Sequence, residues 1–366
     1  MAKKNMGKVK RYRHSFYSGK QRAMRVIGGV IALLVLFVVG WLVGPAVVNF
    51  GSNVWYSMTR GDSNKPQDNS QPASAASSGS DAAAGVATPT PEPTATPAPA
   101  TDLSQGSWAF VQESSLSNQQ AIEDTAQKLA DQGVRYAVVT LKDDQGSIYY
   151  NSALPEAAAG IAPTAFDAKA VAQALQQKNI VPVAAICAFK DPIAAASQRS
   201  MAVMYQDTDY LWLDAAQDAG GKPWLNPYSQ QAQAFITGMI QEARDMGYEQ
   251  IWLSGVQFPT KAGRDMASYG DTAGVSEADC LKNLIQTWQQ GGTCWIEYPL
   301  TVATGADVSL TGGSINDLGI ENLAVKTDGT LDEETQQTLQ QVKTDSGATY
   351  IGVRNGDSFT VEVGDK

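Results

Sequence analysis

Histidine is almost missing from this chain. Only one of the 366 residues, His14, is a histidine, and it stands in a basic stretch, KVKRYRHSF, near the start. A His-based zinc site, a Ser-His-Asp triad and a Cys-His dyad are therefore excluded from everything that follows it. Cysteine is nearly as scarce: Cys187, Cys280 and Cys294 are an odd number at wide spacing. That suits neither a disulfide framework nor a CxxC metal or redox motif, and the three read as small buried hydrophobes. Neither a metal nor an organic cofactor is indicated, so any chemistry must run on carboxylates, lysines or tyrosines.

Acid is missing from one end. Residues 1–25 carry nine Lys/Arg and no Asp or Glu, a charge of +9, so the formal −10 of the whole chain leaves −19 for the remainder. Between them Val26 to Val48, VIGGVIALLVLFVVGWLVGPAVV, has no charge at all. At about 1.5 Å per residue this run is long enough to cross a hydrocarbon core of about 30 Å. The expectation is a single-pass cell-membrane protein with a basic cytoplasmic tail (1–25), a transmembrane helix (26–48) and an extracellular remainder. A cleavable signal peptide competes with this, but its apolar region is shorter and ends in an A-x-A-like site that is not seen here. The basic tail is read as a topology signal and a contact for anionic lipid rather than for nucleic acid, which the acidic remainder would repel.

Residues 49–103 turn to Ser, Ala, Thr and Pro and end in ATPTPEPTATPAPATD. A segment with so little apolar surface cannot offset its ordering entropy, so a disordered linker is expected, spanning about 40 Å as a coil. Residues 104–366 are the right size for one (β/α)8 barrel, and short apolar runs alternate with helical-period segments. Strands are predicted at 108–111, 135–142, 180–189, 250–256, 293–298, 321–326 and 349–354, with a further short one at 210–214. Helices are predicted at 118–131, 165–177, 229–246, 277–290 and 332–345. After Arg354 only an NGD turn and Ser358 to Val363 remain, which predicts a hairpin return in place of a final helix.

Three blocks, VVTLKDDQGSIYYNS (138–152), VPVAAICAFKDPIAA (181–195) and KPWLNPYSQQAQAFITGMIQEARDMGYEQIWLSGVQFP (222–259), occur in order. Together they resemble a glycosyl-hydrolase-like family of bacterial surface proteins, long catalogued as a domain of unknown function. The resemblance implies a TIM-barrel fold, and carbohydrate such as cell-wall or capsular polysaccharide as the partner. It also exposes departures. Where the family's second, third and fourth strands read like IDVKDD, ARIVVFKDP and EIQFDYVRFP, this chain has Thr140 for an acid, Ala185 for an arginine, Ser254 for an aspartate and Gln257 for an arginine. Trp252 stands where the family tends to have a polar residue and would fill the mouth of the barrel.

Glycoside hydrolysis usually needs two carboxyls flanking the scissile bond, which serine and threonine cannot replace. The expectation is a degenerate barrel that binds glycan or acts as a scaffold at the cell surface. The alternative is an active glycosidase with a rearranged catalytic pair, Glu297 of CWIEYP with a carboxylate from KDD or FKDP, for example Asp143. Lys142, Asp144, Lys190 and Asp191 stand beside them as binding candidates, although KDD and FKDP also read as loop-holding residues, with Asp191 capping a helix begun by Pro192. Trp212, Trp224, Tyr228 and Trp252 are the aromatic candidates for stacking on sugar rings.

Overall fold

The computed structural model describes residues 102–259, 263–329 and 331–364. The basic tail, the run at 26–48 predicted to be a membrane helix and nearly all of the predicted linker lie outside the described residues. Among those described, no helix is long and apolar enough to cross a membrane.

Seven parallel strands follow one another round a single sheet in chain order: β1 Ser107–Val111, β2 Val134–Lys142, β3 Val181–Cys187, β4 Gln250–Ser254, β5 Cys294–Pro299, β6 Asn322–Thr327 and β7 Tyr350–Asn355. The eighth, β8 Ser358–Val363, returns antiparallel against β7, as the NGD turn predicts. Helices α1 Gln119–Asp131, α2 Ala168–Gln177, α3 Pro192–Ser197, α4 Gln230–Asp245, α5 Glu277–Gln290, α6 Leu300–Ala303 and α7 Glu333–Asp345 fill the crossovers. The result is an α/β protein built on a nearly closed eight-stranded barrel. It departs from the expected (β/α)8 pattern in its last unit, where a two-strand hairpin replaces the strand-helix pair.

Local sequence sets the helix starts. Asn118, Asp167, Asp191, Ser229, Ser276 and Asp332 each place a side-chain oxygen on a backbone N–H three residues on, satisfying a donor that the first turn would leave unpaired. In α4 the buried residues Ala232, Phe235, Ile236, Met239, Ile240 and Ala243 recur at helical spacing, giving one apolar stripe toward the sheet. The short strand predicted at 210–214 is present only as isolated bridges from Leu211 to Met204 and from Leu213 to Pro223. Asp214 ends it by accepting a hydrogen bond from the Lys222 N–H, 2.7 Å, which closes a turn. These segments, with Met204–Tyr205 paired to Ala267–Ser268, form a small flap that has its own core of Val203, Trp212, Trp224 and Ala267.

Side chains alternate across the barrel wall. The outward set packs under the helices in the main core. The inward set is largely aromatic: Trp108, Tyr136, Trp252, Trp295 and Phe359 stack or meet edge-on at centroid distances of 4.3–6.4 Å. Phe359 is the ring that β8 contributes, and it meets Trp108 of β1 at 5.0 Å although no β1–β8 ladder is present. Side-chain packing closes the seam where hydrogen bonds do not. Glycine at position 352 makes this arrangement fit, because a Cβ there would overlap the Phe359 ring. Leu103, assigned by composition to the end of the linker, is buried with these rings.

Candidate functional site

At the C-terminal ends of the strands the barrel opens into a cavity of about 580 Å³. This is the end where barrel enzymes keep their chemistry. Trp252, 2% exposed and flanked by Phe110, Val138 and Ala185, forms an apolar floor, and Thr140, Ser254 and Gln257 line the wall. Three of the four positions at which the chain departs from the family's charged pattern therefore face the cavity as neutral polar groups, and Ala185 faces it as a methyl.

The charged groups that remain are mostly tied to one another. Glu297, an inward residue near the end of β5, accepts a hydrogen bond on Oε2 from Arg354 Nη1 at 2.8 Å, and Arg354 in turn lies over the Phe110 ring at 4.1 Å. Asp143 spends both carboxylate oxygens on its own loop. Oδ1 accepts from the Gln145 and Ser147 N–H groups, at 2.9 and 2.8 Å, and Oδ2 from the Tyr149 hydroxyl at 2.9 Å. Asp144 pairs with Lys190 at 2.7 Å on the half-exposed rim. Asp214, on the flap, accepts from the Trp224 indole N–H at 3.0 Å.

Lys142 is the most unusual of these groups. A bulge between Thr140 and Lys142 interrupts the β2–β3 register, and the lysine turns into the protein with only 1% of its surface exposed. Its ammonium donates to the Cys187 carbonyl at 2.6 Å and lies 3.1 Å from Asp191 Oδ2, a contact not aligned as a hydrogen bond and so ionic in character. Asp191 is fully buried, and its other oxygen caps α3 through the Ala194 N–H. Gly146, at φ +83°, lets the KDD loop lie against this aspartate, where a Cβ would collide with Oδ1. The pair binds β2, β3 and α3 into one unit beneath the mouth.

The structure gathers Glu297, Asp143, Lys142, Asp144, Lys190, Trp224 and Trp252 around one cavity. It corrects the sequence expectation for Trp212 as a stacking platform: that ring is fully buried in the flap core, with its indole N–H on the Gly263 carbonyl at 2.8 Å. Tyr228 belongs elsewhere too, packed on Phe258 and Tyr269 and donating to the Val275 carbonyl, away from the mouth. Asp191 lies behind Lys142, outside the cavity lining. Sequence reasoning missed Asp214, Lys326 and Arg354. The two cations are the last inward residues of β6 and β7, so strand alternation carried to the strand ends would have found them.

The rim pair gives a testable pH behaviour. Burial alone would raise the Asp144 carboxyl, but hydrogen bonds from Lys190 and Gln145, with the charges of Lys190 and Lys326, outweigh it and hold the group below its ordinary value of 3.8. A depressed carboxyl stabilises the fold at pH above its unfolded value and loses that contribution as pH falls through the folded one. With both side chains half-exposed the contribution is small. A carbon-13 NMR titration of the Asp144 carboxyl should show a midpoint below 3.8 that moves up in Lys190→Met. An unchanged midpoint in the variant would remove Lys190 as the cause.

A family model described as "Putative glycosyl hydrolase domain" matches residues 109–292, just over half of the chain. The chain belongs to this family. No curated protein matches it. Among solved structures, a hypothetical protein from Ruminiclostridium thermocellum is similar at 18% identity, over 51% of this chain and 96% of that one, with a TM-score of 0.44. The Flavobacterium johnsoniae chitobiase is similar at 10% identity over 69% of this chain, with a TM-score of 0.46. The Vibrio harveyi exo-β-N-acetylglucosaminidase is similar at 10% over 68%, also with a TM-score of 0.46. The present chain spans 38% and 40% of those two enzymes. Within the glycosyl hydrolase family, the matched segment contains the KDD, FKDP and QFP blocks, while Glu297, Lys326 and Arg354 lie beyond it.

Proposed function

We propose that this glycosyl hydrolase family member binds a carbohydrate in its barrel mouth without hydrolysing it. One observation carries the proposal: every carboxylate that faces the mouth is already engaged by a cation or by N–H and O–H donors. A retaining or inverting glycosidase needs one carboxyl free to hand a proton to the leaving oxygen and a second facing the anomeric carbon. Here the second-, third- and fourth-strand positions at the mouth are Thr140, Ala185 and Ser254, and the Glu297 oxygen nearest a donor is occupied by Arg354. The apolar floor of Trp252 and Phe110, rimmed by hydroxyl, amide and charged groups, suits a sugar's mixed surface of C–H faces and hydroxyls.

The sequence adds a location to this reading. With its basic start, the uncharged run at 26–48 and the Pro/Thr-rich segment after it, the protein is a single-pass membrane protein whose barrel faces outward on a tether, toward cell-wall or capsular polysaccharide. A glycan array and a reducing-end hydrolysis screen on the full-length protein test both parts. Saturable binding without turnover, on intact cells whose barrel is removed by external protease, is the expected result. Turnover that disappears in Glu297→Gln would replace the binding proposal with the active-glycosidase alternative. A barrel protected from external protease would overturn the topology.

A further inference from the structure

The flap carries a second cavity, of about 610 Å³, that shares no lining residue with the mouth. The two follow one another along the chain: Trp224 faces the mouth, whereas Asn226 and Tyr228 line the second groove. Its walls contain three partly buried tyrosines, Tyr205, Tyr228 and Tyr269, two of which pack against each other at 5.9 Å. Part of its polar lining is already engaged, as with Asn226, Tyr228, Tyr269 and Asp271, and part is not. Among the described residues the side chains of Arg199, Tyr205, Asp207 and Asp209 have no hydrogen-bond or ion-pair partner, although all four line one concavity.

We infer that this groove is a second carbohydrate subsite. For its ligand class the inference rests on the glycan-binding proposal for the mouth, but its residues are separate. Tyrosine offers a flat, rigid face to the C–H side of a pyranose at low entropy cost, and of the three hydroxyls here that of Tyr205 has no partner and is open to a sugar hydroxyl, whereas those of Tyr228 and Tyr269 are engaged by Val275 and Arg264. Free carboxylates and a guanidinium around such rings are complementary to hydroxyl donors and acceptors, and a volume of this size holds a short oligosaccharide. Asp207, Asp209 and Asp271 against Arg199 leave the groove with a net negative wall. It therefore prefers neutral or amine-bearing sugars and disfavours uronates.

Titration calorimetry of the full-length protein with tetramers of glucosamine, N-acetylglucosamine and galacturonate tests this. Tyr205→Ala and the double variant Asp207→Asn/Asp209→Asn should each weaken glucosamine-tetramer binding at one class of site by about tenfold, the size of a single hot-spot truncation. Glu297→Gln should leave that class untouched, and galacturonate should not occupy it. The Asn double variant guards against misfolding, because it alters exposed turn residues without removing volume. If the groove variants bind all three tetramers like the parent while Glu297→Gln weakens binding, the groove inference fails and the mouth proposal stands. If neither set changes a measurable affinity, or no tetramer binds, both fail.

Discussion

Replacing Phe359 with alanine is expected to lower the unfolding free energy by about 3–5 kcal/mol, the cost of emptying a buried aromatic site. Phe359 is 5% exposed and touches Trp108, Trp252 and Trp295 at 4.7–5.4 Å, so three rings lose their common neighbour at once. No backbone ladder joins β8 to β1, and these ring contacts are what hold that edge. A urea melt would report the loss as a lower midpoint. The partner position supplies a control. Gly352→Ala pushes a methyl into the same ring and should destabilise the parent, but cost much less in a Phe359→Leu background, where the colliding edge is gone. Equal costs in the two backgrounds would mean that the Gly352–Phe359 fit does not govern closure.

The second large effect is expected at Lys142. Lys142→Met keeps the aliphatic stem but leaves Asp191 buried without its counter-charge, and removing one partner of a buried pair typically costs about 3–5 kcal/mol. Lys142→Met/Asp191→Asn removes both charges while keeping an oxygen that can still cap α3 through the Ala194 N–H. The double variant should recover most of the loss, because the penalty in the single variant is an uncompensated charge rather than missing volume. A double-mutant cycle on denaturation midpoints measures this coupling. If the double variant is as unstable as Lys142→Met alone, the ammonium's bond to the Cys187 carbonyl, 2.6 Å, rather than the ion pair, holds the β2–β3 end together.

Most of the barrel was legible in the sequence for a physical reason. Parallel strands buried on both faces leave continuous apolar runs, and the helices between them start at Asn, Asp or Ser caps that can be recognised one residue at a time. The loop roles of Asp143 and Asp191 were legible in the same way, from turn and cap chemistry. The pairing at the mouth was not. Glu297 and Arg354 are 57 residues apart and meet only because β5, β6 and β7 lie side by side in register. Trp212 was misplaced because its partners, Val203 and Ala267, come from opposite ends of the flap, and no local pattern announces that so small an excursion has a core of its own. The unspent groups of Arg199, Asp207 and Asp209 are exposed polar residues in sequence, and only their shared concavity gives them meaning.

The reversed last strand has a mechanical consequence. Because β8 runs against β7, its final residue, Val363, is level with Tyr350 at the start of β7, and so at the same pole of the barrel as the beginning of β1. The described chain thus enters and leaves at the foot, opposite the mouth. Tension applied through residue 102 is borne first by Leu103 and Trp108, seated among the rings at that pole, and by the β1–β2 ladder from Ser107 to Val111. Load on the chain and occupancy of the mouth are carried by opposite poles of the barrel.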